Sequence, residues 1–273
     1  MRHFVDIQDY SPQELEGLLE LSRVVKAAAH DAALPPLLAG LSLGMIFEKA
    51  STRTRISFEV GMTRLGGHAL YLRPGEIHMG ARETIADTAR VLSRMLDAIE
   101  ARVLRHSDVL ELARWATVPV INGLTDAQHP LQALCDLFTM QEHMPPGRTL
   151  RDLNVAFVGD ATNVCNSLMQ ICTRMGAHFI LAAPARYQFT SEYRAIGEAN
   201  CALSGGRLTV TEDVEAAVAA ADFVHTDLWW RVDQEQDDQE VQERSAAFLP
   251  RYQVTAALLD RGPAHLKFMH LSL

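Results

Sequence analysis

The chain has 273 residues, 48% of them hydrophobic, enough for a full core in one large or two modest domains. With 34 acidic against 25 basic residues the net charge is −9, and no basic stripe offsets it, which excludes nucleic acid as a general partner. Cys135, Cys165, Cys172 and Cys201 lack paired or metal-type spacing, which fits a reducing cytoplasm; no signal region and no membrane-length apolar segment is visible.

In chain order, Ser11-Pro12-Gln13-Glu14 reads as a helix start, with a Ser cap, Pro at the first helical position and Glu three residues after the cap. Residues 41–47 read as a strand. A helix capped by Ser51 follows, with Ile56, Val60 and Leu65 near one face and Gly66-Gly67 as a stop. Residues 69–72 are a strand and 83–96 a helix with Ile85, Ala89, Leu92 and Leu96 on one face. A strand at 98–104, a helix at 108–115, a strand at 118–122 and a long helix at 130–143 complete the first half.

Met144-Pro145-Pro146-Gly147 marks a boundary, giving domains 1–146 and 147–273. The alternation then restarts: strand 154–159, helix 166–175, strands 178–182 and 208–210, helix 212–220, strand 223–226, and short strands at 253–254 and 268–270. Such alternation predicts an α/β protein with two doubly wound parallel-sheet domains. The acidic, Gln-rich run 233–243 reads as a solvated loop or helix face.

The segment Ser51-Thr52-Arg53-Thr54-Arg55 concentrates hydroxyls and guanidinium groups at a helix start, where free backbone N–H groups already favour an anion. Cations in a first turn oppose the helix dipole, so a basic solvated helix explains the segment poorly. A phosphate cradle explains it better, since Arg binds phosphate with two parallel hydrogen bonds. Arg102 lies near the C-terminal end of an apolar strand, where an open α/β sheet places ligands; a salt bridge with Glu100 is the plainer alternative. His129 and Gln132 enter the long helix on one side, and alone they read as a loop His and a surface Gln. Gly159-Asp160 with Asn163, and Asp227 with Trp229, each follow a strand. The first lacks the three-glycine dinucleotide fingerprint, and the second is as easily a helix cap as an amine partner. No metal cluster or nucleophilic triad is evident.

Taken in order, these segments resemble the carbamoyltransferases, and among them most closely the ornithine carbamoyltransferases. The matching pieces are Ser51 to Arg55, Glu76 to Gly80 with Asp87 to Leu92, Ala101-Arg102-Val103, Asn122 to Asp126, His129-Pro130-Leu131-Gln132, Gly159-Asp160 with Asn163, and Thr226-Asp227 with Trp229. The resemblance implies carbamoyl phosphate on the first domain, an amino acid on the second, and a homotrimer with shared active sites. It implies that Ser51, Thr52, Arg53 and Thr54 grip phosphate. Thr54, Arg102 and His129 would surround the carbamoyl oxygen, with Gln132 near the carbamoyl nitrogen. His78 would reach a neighbouring subunit's site. Asn163 and Asp227 would hold the amino-acid end of the acceptor.

Two departures bear on the acceptor. The family's Ser-Met-Gly loop is replaced by Arg231, Val232 and Asp233, and its His-Cys-Leu-Pro by His270-Leu271-Ser272-Leu273, where the chain stops without the family's terminal helix. Arg231 can pair with an added carboxylate on a changed acceptor, and Leu271 cannot bond an amine. The expected activity is carbamoyl transfer to an ornithine-like amine with phosphate release, a mechanism that the resemblance implies needs no metal or organic cofactor. The alternative is a carbamoyl-phosphate-binding relative with an impaired acceptor site.

Overall fold

A computed structural model of the protein describes residues 2–31, 33–73, 75–77, 79–80, 82–229 and 238–271. They form two compact units, Met1–Leu131 and Gln132–Leu273. No helix among the described residues is long and apolar enough to cross a membrane.

The first unit runs α1 (Pro12–His30), β1 (Ser42–Phe47), α2 (Thr52–Arg64), β2 (His68–Leu72), α3 (Ile85–Leu92), β3 (Ala98–Arg102), α4 (His106–Trp115) and β4 (Val120–Leu124); α5 (Pro130–His143) begins at its end. The start of α1 is a full capping box: Glu14 Oε2 accepts from Ser11 N at 2.8 Å, and Ser11 Oγ accepts from Glu14 N at 3.3 Å. The four strands are all parallel, in the order β2-β1-β3-β4. Their side chains alternate between two apolar layers. Ile46, Ile99 and Ala101 join Ile85 and Ala89 of α3 and Val109 and Leu112 of α4. Leu43, Met45 and Phe47 face the other way, toward Phe58 and Met62 of α2. Each large buried side chain of this kind contributes about 1.5–3 kcal/mol.

The structure corrects the expected inner face of α2. Ile56 and Val60 are 52% and 43% exposed, and Phe58 and Met62 do the packing instead. Period alone finds two apolar stripes on this helix, and the sheet takes the one with the larger side chains.

The second unit runs β5 (Asn154–Val158), α6 (Asn163–Arg174), β6 (His178–Ala182), α7 (Ser191–Ser204), β7 (Arg207–Thr211), α8 (Val214–Ala219), β8 (Phe223–Thr226), α9 (Asp238–Phe248), α10 (Ala256–Leu259) and β9 (Lys267–His270). The five strands are parallel, in the order β7-β6-β5-β8-β9. Asp222 pins the starts of two of them: it accepts from Asn154 N at 2.8 Å, from His265 Nε2 at 2.6 Å, and from Arg148. The helix α7 lies outside the sequence reading, although its Thr190 cap and its stop at Gly205 (φ 80°) are both legible there. The expected strand at Gln253-Val254 is absent. Gln253 N turns back to Pro250 O, and Thr255 caps α10 through Leu258 N, so the local bonds are spent in turns.

Candidate functional site

An open parallel sheet binds ligands where the chain reverses its direction of winding, at the carboxyl ends of the two strands flanking that point. In the first unit the reversal lies between β1 and β3, since β2 is added on one side of β1 and β3 and β4 on the other. The segment Ser51 to Thr54 leaves β1, and Arg102 ends β3. In the second unit the reversal lies between β5 and β8. Asp160 and Asn163 follow β5, and Asp227 and Trp229 follow β8. The topology therefore brings the sequence-selected residues to the two crevices.

At the first crevice Ser51 is the N-cap of α2, accepting from Thr54 N at 3.4 Å. Thr54 Oγ1 receives Ser51 Oγ at 3.1 Å and Arg102 Nη1 at 3.4 Å. Both are donors to it, so the Thr54 O–H proton is left to donate elsewhere. Thr52 and Arg53 are exposed at the helix start. Arg53 lies close enough to oppose the charge on Arg102, and the two cations together favour an anion. Arg55 is committed elsewhere: its Nε holds Glu59 at 3.0 Å, and its guanidinium lies 4.1 Å above the Tyr71 ring.

His129 is buried in the same unit, on the loop entering α5. Burial, with the nearby Arg102 charge, pulls its pKa down to about 3. A neutral imidazole offers one N–H donor and one acceptor at every physiological pH. The loop is shaped by Thr125, whose Oγ1 accepts from Gln128 N at 3.1 Å, and by Asp126, whose carboxylate accepts from His106 N at 2.9 Å. Glu48 joins the ends of β1 and β3 by accepting from Leu104 N at 2.6 Å. Neither Glu48 nor His106 was marked by the sequence, because each is held by a partner far along the chain: Glu48 accepts from the Leu104 backbone, and the His106 backbone donates to the Asp126 side chain.

At the second crevice Asp227 is partly buried, and among the described residues its Oδ1 has no hydrogen-bond partner. Burial raises its pKa, against the pull of the Leu228 N–H, His225 and His270. An unsatisfied carboxylate oxygen of this kind gains most from a cation. By the register Thr226↔His270, Leu271 follows β9 beside the Asp227 backbone. Asn163 opens α6 and is 4% exposed, with its Oδ1 accepting from Val164 N at 3.0 Å.

Asp160 is held by a residue that sequence reasoning missed. Arg244 of α9 is 6% exposed and donates from Nη1 to Asp160 Oδ2 at 2.5 Å and to Trp229 O at 2.8 Å, and from Nε to Glu240 Oε1 at 3.2 Å. It thus ties the loop after β5 to the loop after β8. Trp229 stacks on Phe248 with ring centroids 5.1 Å apart. The lone cation that closes the acidic run 233–243 is the sequence signal that could have found it.

Gln132, in the first turn of α5, donates from Nε2 to Asp136 Oδ1 at 2.9 Å. Asp136 only accepts here, which fixes the amide and leaves Gln132 Oε1 facing away from it. The other Asp136 oxygen lies 3.2 Å from Nε2 of the buried His225, whose ring stacks on Phe157 at 5.4 Å. His78 and Arg231 lie outside the described residues.

Comparison with known proteins agrees with this layout. Residues 2–142 match the aspartate/ornithine carbamoyltransferase carbamoyl-P binding domain, and residues 151–272 match the Asp/Orn binding domain of the same family. A putrescine carbamoyltransferase of Mycoplasma capricolum is 49% identical, over 99% of this chain and 75% of its own length. An ornithine carbamoyltransferase of Pyrococcus horikoshii is 44% identical, over 98% of this chain and 83% of its own. The solved ornithine carbamoyltransferase of Pyrococcus furiosus superposes with a TM-score of 0.92 at 44% identity, covering 98% of this chain and 84% of that one.

Proposed function

Because this chain belongs to the aspartate/ornithine carbamoyltransferase family, we propose that it transfers the carbamoyl group of carbamoyl phosphate to one amine of an alkyl diamine, with putrescine preferred to ornithine. Asp227 carries this reading: an unsatisfied, largely buried carboxylate oxygen at the switch point of the second sheet suits an ammonium group. A diamine needs only anions around it. An amino acid also needs a partner for its carboxylate, and among the described residues the Arg244 cation beside this crevice is already engaged by Asp160, Glu240 and the Trp229 carbonyl. The 49% identity to a putrescine carbamoyltransferase, against 44% to ornithine carbamoyltransferases, supports the same choice.

The division of labour follows from charge. Ser51, Thr52 and Arg53, at the start of α2, hold the phosphate. Thr54, Arg102 and His129 donate to the carbamoyl oxygen, which gains negative charge as the neutral amine attacks the carbamoyl carbon. Gln132 accepts from the carbamoyl nitrogen through the Oε1 that Asp136 leaves unused. The new C–N bond forms, the bond from the carbamoyl carbon to the phosphate oxygen breaks, and the amine proton passes to the departing phosphate. Asn163 and Asp227 bind the acceptor. Leu271 offers no polar group, so the ammonium depends on Asp227.

The first unit carries the contacts of a homotrimer in this reading, through the exposed Ile56 and Val60 of α2. The test is a steady-state assay of phosphate release with putrescine and ornithine at equal concentrations. A kcat/KM for putrescine at least tenfold above that for ornithine is expected, and the reverse order would overturn the acceptor assignment.

A further inference from the structure

Glu100 is an anomaly at the heart of the first unit. It is fully buried, and among the described residues neither carboxyl oxygen has a hydrogen-bond partner. The carboxyl packs so tightly over Gly123 that any Cβ there would collide with Oε1. The β3–β4 register shifts at this place, pairing Ala101 with Asn122 and Arg102 with Leu124, so the bulge gives Gly123 the space that Glu100 occupies. A buried carboxyl without partners costs several kcal/mol if charged and still costs if neutral. Nothing in packing requires it, since an apolar side chain would fill the space.

Two residues along the strand sits Arg102. Alternation puts both on the same face of β3, paired in register with Met45 and Phe47 of β1. Arg102 is itself incompletely satisfied: its Nε is buried without a hydrogen-bond partner among the described residues, and its bond to Thr54 is long at 3.4 Å. An acceptor and a donor, both buried and both unsatisfied, thus lie side by side on one strand.

The groups that bear on this pair can be named. On β3 they are Glu100 and Arg102. From α2, Arg53 opposes the charge of Arg102. From the loop entering α5, His129 feels Arg102 and is neutral. The β1 neighbours Met45 and Phe47 and the β4 neighbour Gly123 carry no charge.

We propose that Glu100 is a positioning residue that shares Arg102 with the bound anion, so that loading carbamoyl phosphate is coupled to uptake of one proton by the Glu100 carboxyl. The coupling rests on the cradle assignment made above. Burial, against the attraction of Arg102, pushes the Glu100 pKa up to about 8. Below that pH the carboxyl is neutral and Arg102 presents its whole charge to the ligand. Above it, Glu100 is an anion that competes for Arg102, and a phosphate dianion nearby raises the Glu100 pKa further by like-charge repulsion. Binding then draws one proton from solvent onto a Glu100 oxygen. No other bond changes.

The test is calorimetry of carbamoyl phosphate binding between pH 6.5 and 9.5, in paired buffers of different ionisation enthalpy, on the wild-type protein and Glu100→Gln. The wild type is expected to take up close to one proton per site at pH 9 and much less at pH 6.5. At pH 9 the ligand itself adds nothing, since a phosphate group with a second pKa near 6 or below is fully a dianion there. The ratio of wild-type to Glu100→Gln Kd is expected to rise toward tenfold per pH unit above about pH 8. Equal pH dependence in the two proteins, with both binding, overturns the coupling and leaves the cradle standing. Absence of binding by both overturns the cradle and the coupling together. Should Glu100→Gln fail to fold, the wild-type heats decide alone, and buffer-independent heats at pH 9 overturn the proposal.

Discussion

Arg102 Nη1 meets Thr54 Oγ1 at 3.4 Å, joining the end of β3 to the first turn of α2 across 48 residues of chain. Thr54 accepts from both Ser51 and Arg102, so its own proton is the one left for a substrate oxygen. Thr54→Val keeps the shape and removes that donor. Loss of a donor to a developing oxyanion lowers kcat by about 10²–10³-fold. Steady-state carbamoylation is expected to show that loss, while the Kd of carbamoyl phosphate changes much less. A kcat within threefold of wild type contradicts the assignment.

The His129 ring is neutral because burial and Arg102 disfavour its charged form. His129→Gln keeps an N–H donor of similar reach. The kcat/KM profiles of the two proteins are expected to have the same shape from pH 5.5 to 8; an extra limb near pH 6.5 in the wild type alone argues against a neutral ring. Stability follows the same sign. The folded pKa is about 3 and the unfolded value 6.5, so the unfolded chain binds the proton first. The contribution of this site is full above about pH 6.5 and is lost progressively as pH falls toward 3. Urea midpoints at pH 7 and pH 4.5 should therefore differ less in His129→Gln.

Asp227→Asn tests the acceptor side alone. A charge-assisted hydrogen bond is worth about 1.5–3 kcal/mol, which is about 10- to 100-fold in acceptor affinity. The acceptor KM is expected to rise by that factor with the carbamoyl phosphate Kd unmoved. A rise in the carbamoyl phosphate Kd alone places Asp227 in the wrong half of the reaction.

Arg244 joins α9 to Asp160 and the Trp229 carbonyl from a position that is 6% exposed. Removing one partner of a buried pair costs about 3–5 kcal/mol, because the other charge is left uncompensated. Arg244→Met is expected to lower the urea midpoint accordingly, and the double variant with Asp160→Asn should recover part of the loss. Full additivity of the two single changes goes against a direct pair.

Ile56 and Val60 leave apolar surface on α2 that the sheet does not cover. Ile56→Asp with Val60→Asp is expected to shift the protein from trimer to monomer in light scattering at micromolar concentration, with the circular dichroism spectrum unchanged. A wild-type protein that is already a stable monomer removes the shared-site arrangement.

Much of the fold was legible before any coordinate. The capping box at Ser11, the helix 130–143 and the strands 178–182 and 223–226 stand in the structure where the sequence puts them, because each is fixed by neighbours within a few residues. The βα alternation likewise implies parallel sheets, since parallel strands need a crossover. Gln253-Val254 failed as a strand because two residues, one of them polar, carry too little period to outweigh a turn and a helix cap.

The sequence by itself therefore determined which residues of this protein open helices and end strands, and the family resemblance that such motifs carry in order. Only the tertiary structure decided which side chains meet: Thr54 with Arg102, Glu48 with Leu104, and Arg244 with Asp160, 84 residues away. It also decided charge. Glu100 near 8 and His129 near 3 are set by burial and by the field of Arg102, and both depend on what lies around a side chain in space rather than beside it in the chain.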